Sequence, residues 1–226
     1  MKLWDKNNSV NEKIIEFTVG NDRINDLYLI KYDVKASISH AKMLYRSNLL
    51  SEIECDKIIN ILNEILSQAE AGELKIEKEF EDMHPKIEYI LTDKLGDIGK
   101  KIHTARSRND QVLVSIQLYL IDELNFIKAE VKSLFDLLIN LAKKNKNIIM
   151  PGYTHMRAAM PSSFGLWFSA YAEILIDDVI SLNSTIEIIK KNTLGSAAGY
   201  GTSFNIDRDF TTNDLKQAAQ EEDISD

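Results

Sequence analysis

The chain has 226 residues, 44% of them hydrophobic, with a net charge of −8 and a pI near 5.1. This acidic balance argues against general binding to nucleic acid or to anionic membranes, and the single cysteine, Cys55, excludes an internal disulfide. The start, MKLWDKNN, has no apolar run typical of a secretion signal. No uncharged span is longer than that of residues 158–172, which is shorter than the roughly twenty apolar residues of a membrane helix. We therefore expect a cytoplasmic protein with no membrane segment.

The first half of the chain predicts short helices. Residues 1–21 are mixed and polar, and we expect an extended arm there. Apolar residues recur at helical spacing over 22–48. Ser51 to Glu54 reads as a capping box that opens the next helix, and Gly72 stands where that helix should end. Pro85 suits the first turn of a further helix.

The second half predicts two long helices. The apolar pattern runs from Val112 to Leu141, which indicates one helix of almost forty residues. A second long helix is expected from just after Pro161 to about Lys191, antiparallel to the first. Helices of this length need a bundle and imply partner subunits. A small-residue loop follows, and we expect residues 217–226 to form a frayed end.

A dense group of polar residues interrupts these helical patterns at Ile102–Gln111, IHTARSRNDQ, here named the first polar segment. Arg106 and Arg108 can pair with carboxylates through two parallel hydrogen bonds, and at an irregular helix entry we expect both to reach one pocket. Ser107 or Asn109 could cap the long helix, whose N-terminus also favours an anion. The alternative is that the segment only caps the helix and forms surface ion pairs.

The second polar segment, Pro151–Arg157, lies in the predicted connection between the two long helices. It contains Thr154 and His155, and a histidine suits proton transfer near neutral pH. The alternative is a structural histidine in a loop. We predict that the two polar segments come together at one end of a helical bundle and bind an anionic substrate.

No motif for a metal or a cofactor is present. There is no HExxH, no paired cysteines and no clustered carboxylates of the liganding type. The glycine loop at 195–201 lacks the Lys-Ser/Thr of a phosphate-binding loop and the strand that precedes a dinucleotide fingerprint. We therefore expect no cofactor.

The strings HTARSRNDQ and PGYTHMRAAMP, together with Glu81-Asp82-Met83-His84 and the segment Leu194–Gly199, resemble the argininosuccinate lyases. These belong to the superfamily that includes fumarase, aspartase and adenylosuccinate lyase. The resemblance begins at Lys2-Leu3-Trp4 and covers nearly the whole chain to about Thr212. SRNDQ is specific for this member, whereas a Thr-His pair in the connecting loop is shared across the superfamily.

The resemblance implies an all-α protein with a small N-terminal helical domain, residues 1–107, followed by an incomplete long-helix central bundle, residues 108–226. It implies a homotetramer in which each active site draws on three chains. The implied reaction is the reversible elimination of fumarate from argininosuccinate to give L-arginine, the last step of arginine biosynthesis. Fixed donors would stabilise the negative charge of the intermediate.

The resemblance also implies roles for individual residues. His155 is the acid–base residue, Asn109, Thr154 and Ser107 bind substrate, and Arg108 assists in that binding. Asp82 and His84 line the site less directly, although the residues alone favour a structural role for His84.

Three departures from the family pattern bear on activity. Arg157 stands where the family usually has an amide, and Ala105 where it usually has glycine. The family's third box, a glycine-serine loop with the catalytic serine and a substrate-binding lysine, has no counterpart among the 226 residues. We therefore expect a shortened lyase with little turnover alone. The alternative is an inactive helical assembly subunit.

Overall fold

The computed structural model describes residues 12–220. The predicted all-α class is confirmed. The first elements are α1 Glu12–Val19, α2 Asp22–Asn25, a 3-10 turn Asp26–Tyr28, α3 Ile30–Arg46 and α4 Glu52–Glu70. They are followed by α5 Met83–Leu95, α6 Asp97–Lys100, a 3-10 turn Lys101–His103, α7 Arg108–Asn145, β1 Ile149–Thr154, β2 Arg157–Ser163, α8 Phe164–Ile189 and α9 Arg208–Gln220. The chain forms two compact units, and the predicted domain boundary at residue 107 stays a prediction. Of the described residues, one unit comprises 12–119 and 192–220, and the other comprises Leu120–Lys191.

The first unit is built on a core between α3, α4 and α5. Its fully buried side chains include Leu44, Ile58, Leu62 and Leu91. Burying each such aliphatic side chain contributes about 1.5–3 kcal/mol, which is far more than the helix propensities supply. The core therefore fixes the positions of the short helices that precede the first polar segment.

Local signals set the ends of the helices in this unit. The Ser51 side chain accepts a hydrogen bond from the Glu54 backbone N–H, and the Glu54 carboxylate accepts one from the Ser51 N–H, so the predicted capping box is confirmed. Gly72 follows α4 in the left-handed region, with φ +69°, as predicted. At Gly99 a Cβ atom would lie 2.2 Å from the Leu91 carbonyl oxygen, so only glycine allows α6 to approach α5 so closely.

Two expectations about the chain ends are wrong within the described residues. Glu12–Val19 is helical where an extended arm was expected. At the other end, α9 continues to Gln220, so residues 217–220 are helical rather than frayed. Residues 1–11 and 221–226, where the rest of these two expectations fall, lie outside the described residues.

The second unit consists of the later part of α7, the β-hairpin and α8. Both long helices are confirmed: α7 has 38 residues and α8 has 26. Ser163 caps α8 by accepting a hydrogen bond from the Leu166 backbone N–H. The connection between the helices is not the loop that the sequence indicated, because β1 and β2 pair antiparallel across it. Among the described residues, no helix is long and apolar enough to cross a membrane.

Many apolar side chains of this unit are exposed on its helices. Leu137 on α7 is 55% exposed, and on α8 Ile174, Ile180 and Ile188 are 56%, 59% and 65% exposed. Exposed apolar side chains in such number are typical of a surface that binds another protein.

Candidate functional site

The first polar segment forms the entry to α7. Arg108 is the first helical residue. The Ser107 side chain accepts a hydrogen bond from the Asn109 backbone N–H at 3.3 Å, and the Asp110 carboxylate accepts one from the Ser107 N–H at 2.8 Å. The predicted capping role of Ser107 is therefore confirmed. Asn109 is exposed beside this helix start, where the helix dipole favours an anion.

The two arginines of the segment differ in environment, so the expectation that both reach one pocket is wrong. The Arg106 side chain is only 1% exposed, and its Nη1 donates to the Ser37 hydroxyl at 2.9 Å. Arg106 supports the segment from inside the unit. Arg108 is partly exposed, and its Nη1 donates to Asp82 Oδ2 at 2.9 Å. Of the two, only Arg108 can reach a ligand.

Asp82 and His84 are held at the start of α5. Asp82 is the N-cap, and its Oδ1 accepts the His84 backbone N–H at 3.0 Å. Asp26 accepts the Met83 N–H at 3.0 Å, so two of the otherwise unpaired donors of this helix have carboxylate partners. Burial dominates in raising the pKa of Asp26 above its ordinary value. The cap places Asp82 between α5 and Arg108.

A buried carboxylate that the sequence reasoning missed lies beneath these residues. Asp33 of α3 has no exposed surface, and its Oδ1 is 3.2 Å from His84 Nδ1. Gln111 Nε2 donates to it at 3.1 Å and the Ser115 hydroxyl at 3.2 Å. Its signal in the sequence was a charge on the apolar stripe of α3, between Ile30 and Val34.

Charges decide the ionisation of this pair. Burial alone would raise the pKa of the Asp33 carboxyl, but the neighbouring His84 and Arg106 hold it below its ordinary value. Burial alone would lower the pKa of His84, but the Asp33 and Asp82 carboxylates outweigh it and raise that pKa. Each of the two groups therefore favours the charged form of the other in the folded protein.

A second buried carboxylate, Asp110, connects the first polar segment to the glycine loop. Besides the Ser107 N–H, it accepts the backbone N–H groups of Gly195 at 3.1 Å and Ala197 at 2.8 Å. Backbone N–H groups that converge on one carboxylate stabilise its buried charge. Gly195 adopts φ +93°, and a Cβ there would lie 3.0 Å from the Ile206 and Arg208 side chains. The loop is thus fixed against the start of α7.

His40, which the sequence reasoning passed over, also supports the segment. Its Nε2 is 2.9 Å from the Thr104 carbonyl oxygen. Burial, with a further contribution from the Arg106 charge, lowers the pKa of His40 to about 3. The ring is neutral at physiological pH and acts as a hydrogen-bond donor to the backbone. His103 makes a separate contact, with Nδ1 2.9 Å from Glu88 Oε1.

The second polar segment lies in the β-hairpin of the other unit. Thr154 and Arg157 are paired, so His155 and Met156 form the two-residue turn. His155 has φ +54°, and both His155 and Thr154 are exposed. The predicted loop is instead a strand, a tight turn and a second strand, which present the histidine to solvent.

The structure brings five of the seven candidate residues together in the first unit. These are Asp82, His84, Ser107, Arg108 and Asn109. Thr154 and His155 lie in the second unit. A site shared by the two groups stays a prediction. Cys55 is buried, its thiol directed at the Ala41 carbonyl oxygen, and burial raises its pKa. Within residues 12–220, no group of His, Cys, Asp or Glu is arranged to hold a metal ion.

Comparison with known proteins identifies the family of this chain. Residues 13–224 match the family described as Lyase, and the chain is a member of that family. Curated relatives named argininosuccinate lyase include one from Phocaeicola vulgatus, 52% identical over 93% of this chain and 47% of the relative. One from Thermotoga neapolitana is 47% identical over 95% of this chain and 54% of the relative. The chain spans about half the length of the curated relatives it matches.

Solved structures show the same fold. A class II fumarase from Schistosoma mansoni superposes with a TM-score of 0.74 at 18% identity, covering 94% of this chain and 50% of that one. A protein from Brucella melitensis, titled fumarate lyase:delta crystallin, gives 0.72 at 16% identity, with 93% and 50% covered. At these identities the likeness concerns the fold alone.

Proposed function

We propose that this chain supplies the substrate-binding part of an argininosuccinate lyase, which eliminates fumarate from argininosuccinate to release L-arginine. The observation that carries the proposal is the agreement of two findings. Relatives of that name are about half identical to this chain. In addition, Asn109 is exposed at a capped helix start beside Arg108, which supports binding of an anionic substrate.

Roles follow from this placement. Arg108 and Asn109 bind a succinyl carboxylate, aided by the dipole of α7. Ser107 sets the helix start, while Asp82 and His84 orient Arg108. In the second polar segment Thr154 binds substrate and His155 transfers the proton. The resemblance to the argininosuccinate lyases implies that a site draws on several chains, and we infer that a complete site takes the two segments from different copies.

Several copies of the chain are therefore the proposed assembly, and a tetramer is the form we expect. The exposed apolar side chains of α8 support this, since isoleucines such as Ile174 and Ile180 are otherwise left in water. Changing both to lysine should reduce the mass measured by light scattering to that of a smaller species. Glu173→Lys, a change at an exposed polar position of the same helix, should leave the mass unchanged. The cytoplasmic location stays a prediction from composition.

Binding is the first test of the proposed function. Argininosuccinate titrated into the purified chain should release or absorb measurable heat, and Asn109→Ala should weaken binding about tenfold or more by removing a hydrogen bond to a charged group. Asn60→Ala, at an exposed position of α4, is the matched control and should bind normally. Absence of binding by the unaltered chain would contradict the proposal.

Turnover is the second test. Because the match covers only about half of each relative, we expect the 226 residues alone to release fumarate slowly or not at all. Adding a polypeptide that covers the remaining part of a relative should raise the rate, and His155→Gln in the same mixture should abolish the gain. Fumarate release by the chain alone at a normal lyase rate would overturn this expectation.

The exposed apolar face of α8 also favours a second candidate, an inactive subunit that only assembles. The two candidates differ in one measurement. An assembly subunit would form the oligomer without binding argininosuccinate, whereas the proposed lyase part does both.

A further inference from the structure

The ionisable residues around His84 form a row from the buried interior towards the surface. Asp33 lies fully buried on α3, and its Oδ1 is 3.2 Å from His84 Nδ1. Asp82 comes next, bound to the His84 backbone N–H, and Arg108 follows at 2.9 Å from Asp82. The row therefore runs carboxylate, imidazole, carboxylate, guanidinium, and it ends at the partly exposed Arg108 next to Asn109.

We propose that Asp33 is a positioning residue that holds His84 as a cation beneath the first polar segment, and that this cation keeps Asp82 and Arg108 in the arrangement that receives the substrate. This inference rests on the proposed function for its last step only. The pairing of Asp33 with His84 stands on the distances and the burial by themselves.

The surroundings of His84 favour the charged ring. The titratable groups that face it are Asp33 from α3, Asp82 from its own helix start, Asp26 from the preceding turn and Arg108 from α7. Three negative groups oppose one positive group. In a site that excludes water this excess outweighs the loss of hydration of the ring, and it raises the pKa of His84.

Asp33 itself is fixed by its other partners. Gln111 and Ser115, both on α7, donate hydrogen bonds to its two oxygens. The carboxylate therefore has one orientation and joins α3, α5 and α7 at a single point. A neutral amide at position 33 would preserve the shape but remove the charge that His84 faces.

The experiment is an NMR titration of the histidine rings in the intact chain, with His84 assigned from the signal lost in His84→Gln. In the unaltered protein the His84 ring should titrate above 6.5, the ordinary value. In Asp33→Asn it should titrate below 6.5, because burial then acts without its main counter-charge. Asp93→Asn removes an exposed carboxylate of the same helix and should leave the His84 titration as it was.

Two results would overturn the pairing. One is a His84 ring that titrates at or below the ordinary pKa of 6.5 in the unaltered protein. This measurement does not depend on whether Asp33→Asn folds. The other is a folded Asp33→Asn protein whose His84 titrates where it does in the unaltered chain.

Calorimetry with argininosuccinate at neutral pH tests the positioning step. Asp33→Asn should weaken binding about tenfold, while Asp93→Asn should change it less than about twofold. If the unaltered chain binds nothing, the proposed function fails while the ring titration still decides the pairing. If Asp33→Asn binds as tightly as the unaltered chain, the positioning role falls and the proposed function stands.

Discussion

The two polar segments look alike in sequence and differ in structure. Each combines arginine, histidine and hydroxyl residues beside a long helix. The first is anchored by buried charges, since Arg106, Asp110 and His84 are all almost fully buried. The second is a β-hairpin turn whose Thr154 and His155 face solvent. Polar density in a sequence therefore marks two different things: a buried network that holds the fold and a turn that is exposed to solvent.

The largest expected difference between the segments concerns their arginines. Arg106→Met removes a buried cation from Ser37 and from the neighbouring carboxylates, and should lower the free energy of unfolding by about 3–5 kcal/mol. Arg157→Met, at an exposed position in the hairpin, should change it by less than about 0.5 kcal/mol. Urea unfolding of both variants measures the two free energies of unfolding. An equal decrease in both would contradict the claim that the first segment is held by buried charges and the second is not.

The Asp110 carboxylate should come next in effect. Asp110→Ala leaves the backbone N–H groups of Ser107, Gly195 and Ala197 without their acceptor, and should destabilise the chain by about 3 kcal/mol. Asp136→Ala removes only an exposed ion pair with Lys132 and should change stability by less than about 0.5 kcal/mol. Hydrogen exchange should also speed up at Gly195 and Ala197 in the first variant alone. Unchanged exchange there would contradict the Asp110 contacts.

Low pH should lower the free energy of unfolding through protonation of His40, which contacts the first polar segment. Its pKa is about 3 in the folded protein against 6.5 ordinarily, so folding favours the neutral ring. This contribution is complete above pH 6.5 and is lost as the pH falls towards 3, by about 1.4 kcal/mol per pH unit. His40→Asn should reduce the slope of unfolding free energy against pH in this window. A slope that the substitution leaves unchanged would contradict the buried neutral ring.

The smallest change in stability should come from substitutions that relieve backbone strain, because both segments contain a residue with positive φ. Ala105 and His155 both lie in the left-handed region, with φ +57° and +54°. Glycine at either position relieves strain but adds freedom to the unfolded chain, so each change should stabilise by only about 0.5 kcal/mol. Thermal unfolding compares the two. A difference of more than about 1 kcal/mol would show that side-chain contacts rather than backbone strain dominate at one of them.

Local signals in the sequence were sufficient for the helices. Apolar periodicity predicted α7 and α8, and Ser51 with Glu54 predicted a cap that the structure contains. The hairpin was missed because Pro151 and Gly152 at the end of a helix are typical of a loop, and only antiparallel pairing with residues 157–163 makes a strand of them. That pairing depends on two segments meeting in space.

The sequence by itself determined the fold class, the lyase family and the candidate residues, because each of these depends on residue types at short, fixed spacings. The tertiary structure decided which of those residues support the site and which face solvent. Arg106 and Arg108 are two positions apart, yet one is enclosed against Ser37 and the other reaches Asp82 near the surface. The partners Asp33 and Gly195 come from segments about seventy to ninety residues away from the first polar segment. Burial is a property of the packed whole, and no local spacing specifies it.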